Sequence, residues 1–444
     1  MNGNSVPTLI VGGGTVGLAM AALLAHHGVE TLLIEREQGP QIHPRATGVG
    51  PRTMEIMREL GLEEAVNAVA VNMTATFGKL TAESLAAAEL TARVAPPRAA
   101  LMGDPAYTPA GIRGTCPQNR LDLVLLEAAR ERGATVAYGT ELVSFEQDAD
   151  GVTALVRGPE GERTVRARYL VAADGVRSQV RTALDIGVTG PGPLTESLYN
   201  VLFHADLSGV TGGASFALCE ITNPDAPGVL MTIDGEKEWV FHTGQEPTPE
   251  LIRAAVGDPE LELEILSTLR WRARGQVADR FTDGRVFLIG DAAHAVPPTG
   301  AFGMNTGIAD AHNLAWKLAE GAPETYESER RPIALLALEQ SLLRAKDLTL
   351  HFGNDAEARR RAGAINAPIV HLGYRYGSRD LPDTEDVALC LDGSPGSRLP
   401  HVWVSEGVST LDLVGSRWCV FSPEPVEADV PVHVVPGWPY GMLL

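Results

Sequence analysis

The sequence has few cysteines and no long apolar segment. Its four cysteines are widely separated along 444 residues and form neither a C-x-x-C pair nor another metal-ligand spacing. This pattern predicts no disulfide framework and no metal site, and it favours a reducing, cytoplasmic compartment. No run of about 18 apolar residues predicts a membrane-spanning helix. The N-terminus also lacks the basic segment that begins a secretory signal peptide.

Positive charge is also scarce. Lys and Arg contribute 36 residues against 56 from Asp and Glu, which gives a formal net charge of −20. Such a charge argues against nucleic acid or an anionic membrane as a partner, because both are negatively charged. The chain is too long for one ordinary hydrophobic core and contains no internal repeats, so we expect two or three domains.

A glycine-rich turn lies between a strand and a helix near the N-terminus. In "TLIVGGGTVGLAMAALLAHHGVETLLIERE", Gly12, Gly14 and Gly17 fit G-x-G-x-x-G, and the next apolar strand ends at Glu35. Glycines there let a pyrophosphate approach the helix N-terminus, and the carboxylate can bind ribose hydroxyls. A glycine-rich turn of another α/β protein is the alternative, but the strand–turn–helix–strand order favours a dinucleotide-binding unit.

Two later apolar strands also end beside an aspartate. "YLVAADG" leads to Asp174 and Gly175, and "RVFLIGD" leads to Gly290 and Asp291. A dinucleotide unit alone could bind NAD or FAD, but carboxylates at neighbouring strand ends could accept hydrogen bonds from the ribityl chain of FAD. The Gly- and Pro-rich turn after Asp291 precedes a helix, whose positive N-terminal end would favour negative charge on the flavin pyrimidine edge. The sequence therefore predicts FAD.

The hydrophobic pattern changes between these nucleotide-binding segments. From residue 198 to 244, four short apolar segments alternate with Gly, Pro and Asp, and "TIDGEKEWVF" is typical of a hairpin. The predicted fold is α/β, with a Rossmann-type FAD-binding domain, an inserted antiparallel substrate-binding sheet and a C-terminal domain. The expected ranges are 1–71, 112–184 and 278–352 for the FAD-binding domain, 72–111 and 185–277 for the sheet domain, and 353–444 for the C-terminal domain.

Three spaced motifs resemble those of the group A flavoprotein monooxygenases, the aromatic hydroxylases related to p-hydroxybenzoate and phenol hydroxylase. They are "VGGGTVGL", "YLVAADGVRSQVR" and "FLIGDAAHAVPPTGAFGMNTGIADAHNLAWKL". "HPRATGVGPRTMEIMRELGL" and "CPQNRLDLVLLEAA" are similar to the family as well. "SPGSRLPHVWVSEGVSTLDLVGSRWCVF" resembles the thioredoxin-like third domain of the actinobacterial polyketide-tailoring branch.

The resemblance implies a flavoprotein aromatic hydroxylase that uses non-covalent FAD, NAD(P)H and O2. Members of the family transfer oxygen through a C4a-hydroperoxyflavin, so the implied substrate is a phenolic or other aromatic natural product of the polyketide type, as in antibiotic biosynthesis. The sequence contains no second G-x-G-x-x-G, which agrees with a family in which NAD(P)H has no domain of its own. A monomer or a homodimer is expected.

The resemblance also assigns roles to individual residues. Arg45 and Pro297 are implied to act next to the flavin during catalysis, and His294 is interpreted as a structural residue of the turn. The implied cofactor-binding residues are Gly12, Gly14, Val16, Gly17, Glu35, Arg36, Arg45, Gln118, Arg120, Asp174, Gly175, Gly290, Asp291, Pro297, Gly303, Met304 and Asn305.

One motif departs from the family, because Ala301 and Phe302 replace the usual Gly-Gln. An aromatic residue beside the flavin could shape the substrate site, although alternate strand residues of a sheet also commonly form a packed core. The candidate substrate-facing residues are Phe203, Phe216, Leu218, Met231, Trp239, Phe241 and Phe302. The chain ends at "GWPYGMLL", where relatives continue into another strand, so the third domain is expected to be incomplete.

Other functions remain open at this point. A Baeyer–Villiger or oxidative-decarboxylation tailoring enzyme would share the same motifs, and indolocarbazole-pathway relatives share the A-F-G form of the turn at 301–303. A flavin-dependent halogenase is disfavoured, because its W-x-W-x-I-P segment is absent. A non-catalytic FAD-binding scaffold that shields a partner's product is the alternative outside the enzymes.

Overall fold

The computed structural model describes residues 5–71, 76–90, 104–352, 355–377, 381, 384, 386–387, 390–435 and 438. Part of the predicted segment 72–111 and most of the C-terminal "GWPYGMLL" lie outside the described residues. The thioredoxin-like character of the last domain, its completeness and the domain boundaries stay predictions.

The helices flank the sheets or connect their strands, and short 3₁₀ turns occur at Leu85–Ala87 and Gly290–Ala292. The α-helices are α1 (Thr15–His26), α2 (Pro51–Glu59), α3 (Glu63–Val69), α4 (Gln118–Glu131), α5 (Gln179–Ala183), α6 (Ser208–Thr211), α7 (Pro249–Val256), α8 (Phe302–Glu320), α9 (Tyr326–Lys346), α10 (Thr349–Phe352), α11 (Ala356–Ala362), α12 (Ala367–Leu372) and α13 (Thr410–Val414). None of the described helices combines the length and apolar character needed to cross a membrane.

The strands belong to three larger sheets and two short pairs. They are β1 (Ser5–Val11), β2 (Thr31–Glu35), β3 (Thr76–Ala82), β4 (Thr135–Tyr138), β5 (Glu141–Gln147), β6 (Val152–Gly158), β7 (Gly161–Ala172), β8 (Val188–Pro193), β9 (Leu198–Ala205), β10 (Ser215–Ile221), β11 (Gly228–Thr232), β12 (Glu238–Thr243), β13 (Leu263–Trp271), β14 (Arg274–Ala278), β15 (Thr282–Asp283), β16 (Val286–Leu288), β17 (His294–Ala295), β18 (Trp403–Ser405), β19 (Val408–Ser409), β20 (Val420–Ser422) and β21 (Val432–Val434).

The main sheet has the strand order β15-β16-β7-β1-β2-β4, and β6 pairs with both β7 and β5 beside this path. Strands β16, β7, β1, β2 and β4 run parallel to one another. The apolar runs of β1 and β2 are buried on both faces, as expected for parallel strands covered by helices. Helix α1 packs on this sheet and against α8, so the Rossmann-type prediction is confirmed.

Glycine allows the close approach of α8 to α1. A Cβ atom on Gly307 would lie 2.6 Å from a methyl group of Val16, and a Cβ on Gly17 would lie 2.0 Å from the Gly12 carbonyl oxygen. Side chains at these positions would separate the helices from the turn that begins α1. The third glycine of the G-x-G-x-x-G motif is therefore required for packing.

The second sheet contains the four strands predicted between residues 198 and 244, which appear as β9 to β12. Its order is β13-β9-β12-β11-β10-β3, and β11 and β12 form the predicted antiparallel hairpin. The four predicted strands pair in the antiparallel direction. The sheet gains a further edge strand, β3, which pairs with β10 in the parallel direction. Strand β3 lies within the segment 72–111, which is predicted to belong to the sheet domain.

The C-terminal segment is attached to the FAD-binding part through buried ion pairs. Arg398 donates through Nε to a Glu55 carboxylate oxygen at 2.9 Å, and a second guanidinium nitrogen binds the other Glu55 oxygen. Arg52 also pairs with Glu55 at 3.0 Å, and the Glu55 side chain is 3% exposed. Burial opposes ionisation of Glu55, but Arg398 and Arg52 outweigh it and hold its pKa below the ordinary value.

The Glu55 cluster generates a stability prediction. Glu55→Ala should lower the free energy of unfolding by about 3–5 kcal/mol, because it leaves two buried guanidinium groups without their anion. The exposed Glu64 pairs with Arg113 at 3.3 Å, so Glu64→Ala is the control and should change stability by less than about 0.5 kcal/mol. Urea unfolding followed by circular dichroism measures both. Equal effects of the two substitutions would contradict the assigned role of Glu55.

Candidate active site

The predicted cofactor residues meet at one edge of the main sheet. Strands β16, β7, β1 and β2 are consecutive neighbours and run in the same direction. Their carboxyl ends lead to Asp291, Asp174, Gly12 and Glu35 in that order. Ligands of open α/β sheets bind outside this edge, so the structure brings together residues that lie far apart in the sequence.

The turn between β1 and α1 has the backbone of a phosphate cradle. Gly12 has φ 109°, and a Cβ atom there would lie 2.3 Å from the Ala173 carbonyl oxygen. Gly14 precedes the first turn of α1, and a Cβ atom on it would meet no other atom within 4 Å. The first turn of α1 carries no acidic residue, so its amides and positive end can attract an anion.

Glu35 and Arg36 differ in their surroundings. The Glu35 carboxylate accepts hydrogen bonds from the amide of Gly13 at 2.6 Å and of Glu37 at 2.9 Å. It is therefore held against the glycine-rich turn, where a ribose would lie. Arg36 is exposed and pairs with Glu37 at 3.6 Å, so its role in cofactor binding stays a prediction without a supporting contact.

The turn after β16 presents Asp291 to the same edge. Gly290 adopts a left-handed conformation with φ 55°, and the Asp291 side chain is exposed to solvent. Surrounding protein nevertheless raises the pKa of Asp291, while the positive charge of Arg45 and the nearby His294 oppose that rise. Arg45 is therefore close enough to the Asp291 carboxyl to act on its charge. Pro297 is buried a few residues further along this turn.

His294 belongs to a buried network beneath the Gly-Asp turn. Its Nε2 lies 2.6 Å from a carboxylate oxygen of Asp310, whose other oxygen accepts a hydrogen bond from Arg330 at 2.8 Å. The Gly290 amide also donates to Asp310, at 3.2 Å. Burial raises the pKa of Asp310, but His294 and Arg330 outweigh burial, and the pKa lies below its ordinary value. These contacts support the structural interpretation of His294.

The N-terminus of α8 is locked by a single amide side chain. Asn305 accepts hydrogen bonds from the Gly50 amide and the Thr53 hydroxyl, each at 2.7 Å, and donates to the carbonyl oxygens of Gly48 at 3.0 Å and Ala301 at 2.7 Å. The Asn305 side chain makes all of these hydrogen bonds within the protein. Only its backbone amide therefore remains for the predicted contact with a flavin. Gly303 and Met304 lie in the same first turn of α8.

Phe302 is buried in the described structure, so its predicted substrate contact has no supporting observation and stays a prediction. Its ring is 1% exposed and packs with Ala337 of α9 and Val370 of α12. The His371 ring lies 5.2 Å from it, centroid to centroid. Ala301 adopts φ 55° at the start of α8, and the helix that follows directs Phe302 toward the C-terminal segment.

Four further candidate substrate contacts are also buried, and they likewise stay predictions without a supporting observation. Phe203, Phe216, Trp239 and Phe241 belong to one apolar cluster between the second sheet and α7. Phe216 stacks on Trp239 at 5.6 Å, and the Trp239 indole donates to the Ala205 carbonyl oxygen at 3.0 Å. These rings form the core of the sheet domain, because α7 covers this face of the sheet.

The opposite sheet face carries the other two candidates. Leu218 pairs with Met231, Met231 with Val240, and Val240 with Leu202 across neighbouring strands, which gives a continuous apolar row. The Leu218 and Met231 side chains are only partly buried. This row is the best candidate for an aromatic substrate surface, so the prediction of Leu218 and Met231 as substrate contacts is retained.

The loop that contains Arg45 meets the start of α4. The Gln118 amide donates to the Ala46 carbonyl oxygen at 2.8 Å, which brings the "PQNR" and "HPRA" segments together. Arg120 instead forms an ion pair with Glu238 of β12 at 2.7 Å. It thereby links the FAD-binding part to the second sheet, and its predicted contact with FAD stays a prediction.

Sequence reasoning missed Asp122. Its side chain is 1% exposed and accepts a hydrogen bond from the Thr15 hydroxyl, in the first turn of α1, at 2.5 Å. Burial raises the pKa of Asp122 to about 7, against the opposing effects of Thr15 and Arg45. The helical periodicity around residue 122 could have shown that this carboxyl faces inward.

The residues present fit FAD. Asp174 keeps one buried carboxylate oxygen without a hydrogen-bond partner among the described residues, and its other oxygen accepts from the Val180 amide at 3.1 Å. Hydroxyls of a ribityl chain would satisfy the unpaired oxygen, and the glycine-rich turn would accept the pyrophosphate. Within the described part of the chain, no three His, Cys, Asp or Glu side chains are grouped as metal ligands.

Residues 5–341 match the family described as FAD binding domain. The chain belongs to this family. Within it, the chain is 40% identical to a putative polyketide hydroxylase of Streptomyces halstedii, over 92% of this chain and 79% of that protein. FAD is therefore its cofactor, and the chain is a flavoprotein monooxygenase.

Two solved structures of this family extend the comparison. The ternary complex of aklavinone-11 hydroxylase with FAD and aklavinone has 35% identity and a TM-score of 0.78, covering 95% of this chain and 84% of that chain. RebC with bound 7-carboxy-K252c has 32% identity and a TM-score of 0.81, covering 97% and 91%. Both likenesses cover the FAD-binding part, the second sheet and most of the C-terminal segment.

The first prediction from this site concerns Asp291. Asp291→Ala should weaken FAD binding by about 1.5–3 kcal/mol, the range of a hydrogen bond to a charged group, and Asp291→Asn should have a smaller effect. Asp283 lies on β15, away from the strand ends that carry the cofactor residues, and pairs with Arg280. Asp283→Ala should therefore leave FAD affinity unchanged. Titration of the FAD-free protein with FAD, followed by flavin fluorescence, measures all three. Unchanged affinity of Asp291→Ala would remove this residue from the site.

The second prediction concerns pH. The raised pKa of Asp122, about 7 against 3.8, means that folded protein holds a proton that unfolded protein loses. Folding stability should therefore fall as pH rises from about 4 to about 7, by at most about 4 kcal/mol. Asp122→Asn should remove this component. Urea unfolding of FAD-free protein at pH 5 and pH 8 tests it, and identical pH dependence in variant and wild type would disprove the assignment.

Proposed function

We propose that the chain hydroxylates a phenolic, polyketide-type aromatic substrate with NAD(P)H and O2. The observation that carries the proposal is the apolar row from Leu202 to Leu218, which lies on the sheet face opposite α7. A flat aromatic molecule would fit between such a row and a flavin at the edge of the main sheet. The aklavinone complex and the polyketide hydroxylase relative support this substrate class.

FAD supplies the transfer of electrons from NAD(P)H to O2 and of one oxygen atom to the substrate. The chain's own residues bind and orient the cofactor and the substrate, and they exclude water from the site. Gly12, Gly14, Glu35, Asp174 and Asp291 hold the cofactor. The positive end of α8 favours negative charge on the bound flavin. We propose that Arg45 and Pro297 line the reacting side, in keeping with the position of Arg45 beside Asp291.

A second candidate function is oxidative decarboxylation or Baeyer–Villiger oxidation. The likeness to RebC and the shared A-F-G turn favour it over a halogenase or a binding scaffold. The same FAD-binding residues would serve this function, so only the reaction product separates the two. We further propose that the protein acts on small molecules without nucleic acid or membrane partners, in keeping with its net charge of −20.

The test measures the rate of flavin reduction and the identity of the reaction product. Stopped-flow mixing with NADPH should show slow flavin reduction alone, and a true phenolic substrate should accelerate it at least about tenfold, a barrier change of about 1.4 kcal/mol. Mass spectrometry under ¹⁸O2 should show one labelled oxygen atom in the product. Loss of CO2 or ring expansion would support the second candidate instead, and ligand binding without NADPH consumption would support a scaffold.

A further inference from the structure

Two tyrosines of the C-terminal segment face a buried arginine of α9. The ring centroid of Tyr374 lies 5.3 Å from the guanidinium carbon of Arg330, and the ring centroid of Tyr376 lies 6.0 Å from it. The two tyrosine rings pack together, with their centroids 5.7 Å apart. Tyr374 is 9% exposed, and the Arg330 side chain is fully buried. These are distances of a cation–π contact, which is stronger where water is excluded.

Hydrogen bonds satisfy only part of the Arg330 guanidinium. Its Nε donates to Asp310 at 2.8 Å, and one terminal nitrogen donates to the Thr306 carbonyl oxygen at 3.2 Å. The other terminal nitrogen is buried without a hydrogen-bond partner among the described residues. A buried cation needs compensation for the water that it loses on folding. The aromatic rings therefore supply a part of this compensation that hydrogen bonds do not.

The guanidinium is connected to the cofactor edge through Asp310. The Asp310 oxygen that is not bound to the guanidinium accepts a hydrogen bond from the Gly290 amide at 3.2 Å, and Asp291 follows Gly290 directly. A chain of direct contacts thus runs from the C-terminal segment to the Gly-Asp turn. We propose that Tyr374 is a positioning residue for FAD, because its ring fixes the guanidinium and thereby the Gly-Asp turn.

The test titrates FAD-free protein with FAD and follows flavin fluorescence. Tyr374→Leu removes the ring face that Arg330 contacts, so it should raise the dissociation constant of FAD by about fivefold or more. Tyr374→Phe keeps that ring face and should leave the dissociation constant within about twofold of wild type. Rescue by the second aromatic residue assigns the effect to the ring. Unchanged FAD affinity in folded Tyr374→Leu, or equal weakening by both substitutions, would overturn the proposal.

Tyr199→Leu is the matched control. The Tyr199 ring centroid lies 4.6 Å from the guanidinium carbon of Arg270 in the second sheet, so this substitution removes a similar contact that is not connected to the Gly-Asp turn. It should leave FAD affinity unchanged, and weakening equal to that of Tyr374→Leu would contradict the proposal. Circular dichroism and the thermal midpoint show that each variant is folded during the titration. Tyr374→Met takes the place of Tyr374→Leu if the latter does not fold.

A double-mutant cycle with Asp291→Ala distinguishes positioning of the turn from a general loss of packing. Asp291→Ala removes the side chain that the turn presents, so Tyr374→Leu in this background should weaken FAD binding further by less than about twofold. Two independent defects would instead multiply, and equal weakening by Tyr374→Leu in both backgrounds would overturn the proposal. FAD binding is measured without substrate, so the outcome does not depend on the proposed hydroxylation.

Discussion

The carboxylate of Asp310 is the contact on which the active-site edge depends. It binds His294, Arg330 and the Gly290 amide at the same time, with its side chain fully buried. It thereby fixes the Gly-Asp turn to α8 and α9. A buried ionic network need not raise net stability, but removal of one member leaves an uncompensated charge. The network thus holds the turn that carries Asp291 without including Asp291 itself.

A second constraint acts from the other side of the same turn. Asn305 joins the start of α8 to the loop that precedes α2, and His371 of the C-terminal segment packs against that loop. A Cβ atom on Gly50 would lie 2.8 Å from the His371 ring. Burial lowers the pKa of His371 to about 4, and Arg344 contributes, so the ring is neutral near pH 7. The C-terminal segment therefore shapes the loop next to Arg45.

The sequence predicts those parts of the site that depend on local geometry. Gly12, Asp174 and Asp291 follow apolar strands, and parallel strands place such residues at a common edge. Sequence analysis fails where packing between distant segments decides which way a side chain faces. Phe203 and Phe241 fit either face of their strands until α7 is known to cover one of them, and only the fold shows that Phe302 packs with Ala337 and Val370. Asp122 belongs to no motif, and only the helical periodicity around it indicates that its carboxyl faces inward.

The contrast between residues set by local motifs and residues set by packing also distinguishes the two sheets. The main sheet holds its ligands with backbone turns and carboxylates at strand ends, so its chemistry is set by motifs and by the common cofactor. The second sheet presents Leu218, Met231 and Val240 from one face. Under the proposed function, substitutions on that face alter substrate choice, while the Asp310 network and the glycine-rich turn belong to the other sheet.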